Sequence, residues 1–167
     1  MKELIVRDGL ARLLFRFAMA LAISFACIPE STAQTSGPTQ RKWIAGSTTA
    51  MSITGDIKIS SGKLTMVGRD YPLTLVKDIG AGQLGDAGKI VDETKPSGAS
   101  LYRTKVPARV KLVKGNTICG PKDANWLLVV TQDAHSLSLA FFSGDGEPNI
   151  ATASDSTELC GTFGYFR

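Results

Sequence analysis

The chain has 167 residues, 43% of them hydrophobic and 20% charged, with a formal charge of +4. That length holds one domain of ordinary size, and the composition excludes a disordered or collagen-like chain. The charge is too small to mark a nucleic-acid binder, and 17 glycines beside 7% aromatic residues favour turns and short strands over long helices.

Lys2, Arg7, Arg12 and Arg16 precede an apolar run from Phe17 to Ile28, after which Pro29 stops the helix and Ser31-Thr32-Ala33 offers small residues to a signal peptidase. Residues 1–33 are therefore expected to be a signal peptide cleaved after Ala33, giving a periplasmic or secreted product. The run is about 12 residues against the roughly 20 that a membrane span needs, so no transmembrane segment is expected after processing. Cys27 is an unsuitable lipidation site, because Phe25 stands where a small residue is wanted. The leader carries four cations and three carboxylates, so its loss lowers the formal charge by one, to about +3.

Residues 34–42 read as a flexible polar tail, and one β domain is expected over 43–167, starting with the first residue worth burying, Trp43. Met51, Ile53, Ile57 and Ile59 share a parity that Ser52, Thr54, Asp56 and Lys58 oppose, the period of a half-buried strand, with Gly55 as a bulge or bend. Ser60 to Lys63 is a turn, Leu64 to Val67 a strand, Gly68 to Asp70 a turn, and Leu73 to Leu75 a strand. Gly80 to Ser100 reads as a long loop with at most one short helical turn. Strand patterns resume at Leu101 to Val106 and at Ala108 to Val113. Trp126 to Thr131 is nearly continuous in apolar character, as in a strand covered on both faces. Ser136 to Phe142 turns Leu137, Leu139 and Phe141 inward, a polar loop runs from Ser143 to about Ser156, and Leu159 to Phe166 closes the chain, where it could pair with the first strand.

These elements predict an all-β domain, a small antiparallel barrel of about eight strands, with a sandwich as the alternative. Export leaves Cys119 and Cys160 as an even pair in an oxidising compartment, so one disulfide is expected between them. Closing about 40 residues, it should stabilise the domain by roughly 4 kcal/mol.

No motif specifies a reaction. Gly80-Ala81-Gly82-Gln83-Leu84-Gly85 fits the dinucleotide-binding spacing, but Asp86, Gly88 and Pro96 leave no helix to receive a pyrophosphate. Ser143-Gly144-Asp145-Gly146-Glu147 alternates oxygen ligands like a calcium loop, yet Pro148 replaces the required glycine and Ser154 the bidentate glutamate. His135, the one histidine, sits in a hairpin turn. No cofactor, metal or catalytic residue is assigned. Arg103, Lys105, Arg109 and Lys111 share a parity, so an extended segment would present a cationic ribbon, either a plain solvated face or a site for an anion or partner.

The C-terminal half, with Gly115-Asn116-Thr117-Ile118-Cys119-Gly120, Trp126, Leu137-Ser138-Leu139 and Leu159-Cys160-Gly161-Thr162-Phe163, resembles small exported β proteins of proteobacteria that carry no assigned function. The resemblance implies a periplasmic address and paired cysteines but no activity. The expectation is a non-catalytic binding or inhibitor-like module that meets an envelope protein or an anionic envelope component. An enzyme of unrecognised type and a structural envelope protein are the competing classes.

Overall fold

The computed structural model describes residues 41–90 and 96–167, all within a compact unit running Ser36–Arg167. The expected signal peptide, Cys27 and most of the expected tail lie outside the described residues. Nine strands form one antiparallel sheet: β1 (Arg41–Ala45), β2 (Ile57–Ser60), β3 (Lys63–Met66), β4 (Arg69–Pro72), β5 (Thr74–Gly80), β6 (Gly98–Val106), β7 (Ala124–Thr131), β8 (Ser136–Phe142) and β9 (Leu159–Phe166). Their order is β4-β3-β2-β1-β9-β8-β7-β6-β5. Among the described residues no helix is long and apolar enough to cross a membrane.

The expected pairing of the last strand with the first is present. Arg41, Lys42 and Trp43 face β2, while Ile44 and Ala45 face Phe166 and Tyr165 of β9. The sheet is nevertheless not closed into a barrel, since its edges are β4 and β5. These two follow each other directly in the chain, joined at Leu73, whose N–H donates to the Gly62 carbonyl (2.8 Å). β4 approaches β6 to within 8 Å between Cα atoms.

Two hydrophobic cores lie on opposite faces. Trp43, Ile57, Leu64, Leu127, Val129, Leu137, Leu139, Phe141 and Phe163 belong to the first, where Phe141 and Phe163 meet edge to face at 5.6 Å. Trp126, Leu128, Val130, Ala140 and Phe142 belong to the second, which Leu84, Ala87, Ile150 and Ala153 cover. β7 and β8 are thus buried on both faces, as the apolar run from Trp126 anticipates. The cover comes from short helical turns: a 3₁₀ turn at Ala81–Gln83, the four-residue helix Ala87–Ile90, and 3₁₀ turns over Ile150–Asp155. The segment after β5 therefore holds two helical pieces, one more than expected. Gly85 (φ +52°) permits this docking, because a Cβ there would stand 2.8 Å from the Ala151 Cα.

Three expectations are corrected. Residues 51–53 are not strand but the end of helix α1 (Thr48–Ile53). The Ser47 side chain accepts from the Ala50 N–H (3.1 Å) at its start. At its end Gly55 (φ +61°) donates back to the Ala50 carbonyl (2.8 Å), so the helix carries both a start and a stop signal. The helix turns Ala50 and Thr54 inward and leaves Met51 54% exposed. The turn between β3 and β4 is Val67-Gly68, so Arg69 and Asp70 are strand residues. Residues 108–113 form no strand either. The ladder shifts register between Arg103 and Val106 and ends there, Pro107 has no N–H to continue it, and the Ala108 N–H is taken by the Asp123 carboxylate (2.8 Å).

Helix α1 is fixed to β9 from two sides. Ser47 Oγ accepts a second hydrogen bond from the Gly164 N–H (3.0 Å), and the buried Thr54 hydroxyl meets the Tyr165 hydroxyl (2.5 Å). Burial, the dominant cause, pushes the Tyr165 phenol well above its ordinary pKa, so it stays neutral and serves this bond. Ser47→Ala would strand two backbone donors rather than one. It is expected to cost about 2 kcal/mol by urea unfolding, the upper end of the range for a lost cap. Cys119 and Cys160 are at disulfide distance, with Cα atoms 4.8 Å apart and 41 positions apart in sequence. Changing both to Ser is expected to remove up to about 4 kcal/mol in the same assay, while reducing agent should act on the wild type alone.

Candidate functional site

Charge is segregated between two loops. From Pro107 to Lys122 the chain carries Arg109, Lys111, Lys114 and Lys122 and no carboxylate. From Ser143 to Glu158 it carries Asp145, Glu147, Asp155 and Glu158 and no cation. Both loops leave from one end of the sheet, because Val106 is paired with Ala124, Trp126 with Phe142, and Phe142 with Leu159. The disulfide ties the basic loop, at Cys119, to the start of β9 just after the acidic one.

The acidic loop is docked on its own protein. Glu147 pairs with Lys77 of β5. Arg103 donates to the Asp145 carbonyl (2.9 Å) and lies 3.9 Å from its carboxylate, while the Asn125 side chain donates to the Gly144 carbonyl (3.0 Å). The Arg103 guanidinium also covers the Trp126 ring at 4.6 Å, a placement that adds cation–π attraction to its hydrogen bond. The two carboxylates that most resembled calcium ligands are thus held beside cationic side chains. Among the described residues no group of three His, Cys, Asp or Glu is placed to hold a metal ion.

The basic loop is anchored at several points. Leu112 and Ile118 are buried in the first core, and the Leu112 N–H donates to the Asn116 carbonyl (2.8 Å). Asn116 reaches across to the Ser52 carbonyl of α1 (2.8 Å), and Thr117 donates to the Gly120 carbonyl (3.2 Å). Arg109, Lys111, Lys114 and Lys122 are all exposed, and none has an ion-pair partner among the described residues.

The expected ribbon of Arg103, Lys105, Arg109 and Lys111 is therefore not carried on one extended strand. Arg103 is folded onto Trp126 and Asp145. Lys105 lies 3.9 Å from Asp123, and the other two stand in the irregular loop beyond the bulge. The ribbon required an unbroken strand through Pro107, and the ladder ends at Val106. Alternation along a strand misses Lys122, the fourth exposed cation of the loop. A count of charges loop by loop finds it.

Elsewhere, His135 and the segment Gly80 to Gly85 stand in turns. The Asp133 carboxylate accepts from the His135 N–H (2.6 Å) and the Ser136 N–H (2.8 Å), closing the β7–β8 hairpin. The His135 N–H, first among these contacts, holds Asp133 below the ordinary carboxylate pKa. Gly80 to Gly85 forms the 3₁₀ turn and the bend that packs on Ala151. At the end of β1, Asp56 accepts from Lys42 (2.9 Å) and from the Ala45 N–H (3.1 Å). Comparison with protein-family models, with curated proteins and with solved structures finds no match to the chain.

Arg103→Ser is expected to destabilise the domain by about 1–2 kcal/mol through loss of a stacked cation. Arg109→Ser and Lys111→Ser should stay within about 0.5 kcal/mol of wild type, and urea unfolding of the three proteins checks the contrast. The Lys42 hydrogen bond, with the Ala45 N–H second, holds the Asp56 carboxyl below its ordinary 3.8. A folded-state pKa below the unfolded one contributes stability above that ordinary value and loses it as pH falls through the folded value. Thermal unfolding from about pH 5 to pH 2 should therefore show a steeper acid loss for wild type than for Asp56→Asn.

Proposed function

We propose that this chain is exported, loses residues 1–33, and acts as a non-catalytic binding module whose disulfide-anchored loop 107–122 engages an anionic partner in the envelope. One observation carries the reading: four exposed cations on an anchored loop have no ion-pair partner among the described residues, while the neighbouring acidic loop is held by Lys77 and Arg103. A rigid mount matters because ordering long side chains and a mobile loop at the moment of binding would cost affinity. We read the curl of the sheet as that of a small barrel with its seam at Leu73, which would present the loops of one end together.

Capture from envelope extract on immobilised protein tests the reading. Wild type is expected to retain an anionic component at low salt and to release it toward about 0.5 M salt, where exposed charges are screened within roughly 4–5 Å. The variant with Arg109, Lys111, Lys114 and Lys122 changed to Ser should keep the wild-type Tm and lose the capture. Equal, salt-independent capture by that variant would sink the proposal.

A further inference from the structure

The turn between β3 and β4 holds a residue in an unfavourable conformation. Val67 (φ +49°) and Gly68 (φ +72°) are its two central residues, closed by the Met66 and Arg69 pair. Two-residue hairpin turns with positive φ at both positions favour Asn-Gly or Asp-Gly. A β-branched residue there is an outlier, since its side chain crowds the backbone. Nor does packing compensate, for Val67 is 48% exposed.

The topology brings this tip to the basic loop. Met66 faces Ile57, and Ile57 follows the bend at Gly55, where a Cβ would stand 3.2 Å from Val113 Cγ2 of the basic loop. Met51, 54% exposed, lies on α1 beside Ser52, which the loop residue Asn116 holds. One end of the domain therefore presents two apolar side chains on separate elements, accompanied by exposed Arg69, Lys111 and Lys114. The carboxylate at that bend, Asp56, is engaged by Lys42 and the Ala45 N–H.

We propose that this end docks on an anionic lipid surface, with Val67 and Met51 entering the boundary between headgroups and acyl chains while the loop cations meet lipid phosphates. The proposal rests on the binding role given above to loop 107–122 and names its partner. Lipid fits better than an acidic protein because the apolar side chains stand on separate tips instead of lining a groove. The carboxylates beside them, Asp56 and Asp70, are each paired with a lysine, which leaves Arg69, Lys111 and Lys114 without an ion-pair partner among the described residues. Apolar tips beside such cations are the combination by which interfacial anchors hold to anionic bilayers.

Co-sedimentation of the exported protein with vesicles decides it. Vesicles of phosphatidylcholine mixed with phosphatidylglycerol should bind the wild type, and vesicles of phosphatidylcholine alone should not. Val67→Asn suits the positive φ while removing the apolar tip, so it should raise the Tm yet weaken vesicle binding about five- to tenfold. Met51→Ser should weaken binding comparably, and each loop cation changed to Ser about fivefold. Wild-type binding by both Val67→Asn and Met51→Ser would overturn insertion and leave the basic loop's role intact. Absence of wild-type binding to the mixed vesicles, with salt-sensitive capture of an acidic protein instead, would overturn the lipid assignment alone. A fall in Tm for Val67→Asn would remove the strain argument.

Discussion

Strand β1 is five residues long and serves two ladders at once. Its first three residues pair with β2 and its last two with β9. Take it away and the order of strands falls into β4-β3-β2 and β9 through β5, neither half with a complete first core. A two-residue ladder is weak on its own. The structure reinforces it at once downstream, where the Gly46 and Ser47 N–H groups both donate to the Gly164 carbonyl (2.8 and 3.1 Å). Thr54 and Tyr165 then join inside the core. Helix α1 is short because its task is local: it covers the end of the β1–β9 junction and offers the Ser52 carbonyl to the basic loop.

The same junction explains why the two charged loops differ in fate. The acidic loop leaves β8 and lies back over the second face of the sheet, where β5 and β6 supply Lys77 and Arg103. The basic loop leaves β6 at a bulge and is drawn instead toward α1 and the start of β9, by Asn116 and by Cys119. Two carboxylates that adjoin it among the described residues are engaged elsewhere, Asp56 with Lys42 and Asp123 with the Ala108 N–H. The surplus positive charge of the chain thus collects on a loop that its covalent and hydrogen-bonded anchors prevent from swinging away to find a partner.

Much of this fold is legible in the sequence where elements are long or buried on both faces. The run at Trp126 and the alternation at Leu137, Leu139 and Phe141 leave one reading, and with export assumed the cysteines allow one pairing. Legibility fails where an element is shorter than its period. Residues 51, 53, 57 and 59 share a parity by accident, because six residues of helix followed by a turn and a strand imitate one long strand. Ser47 and Gly55, a cap and a stop, were the signals that separate the two. The cationic ribbon fails for a different reason. Its alternation is real, but Pro107 and the competing Asp123 carboxylate end the ladder in the middle of it, and only the pairing partner on β7 reveals that. Arg103 looks like its neighbours in sequence, and what distinguishes it is Trp126, 23 positions away and directly across the ladder.

The double pairing of β1 also orders events in time. Synthesis supplies β2, β3 and β4 early, and their turns are local enough to close quickly. Yet β1 cannot complete its second ladder, nor Cys119 find Cys160, until β9 has been released. Contacts between strands as distant in sequence as β1 and β9 must overcome a large loop-closure entropy. Completion of this sheet is therefore a late and cooperative step that must wait for β9 to emerge, and a chain truncated before β9 would lose the partner that unites its two halves.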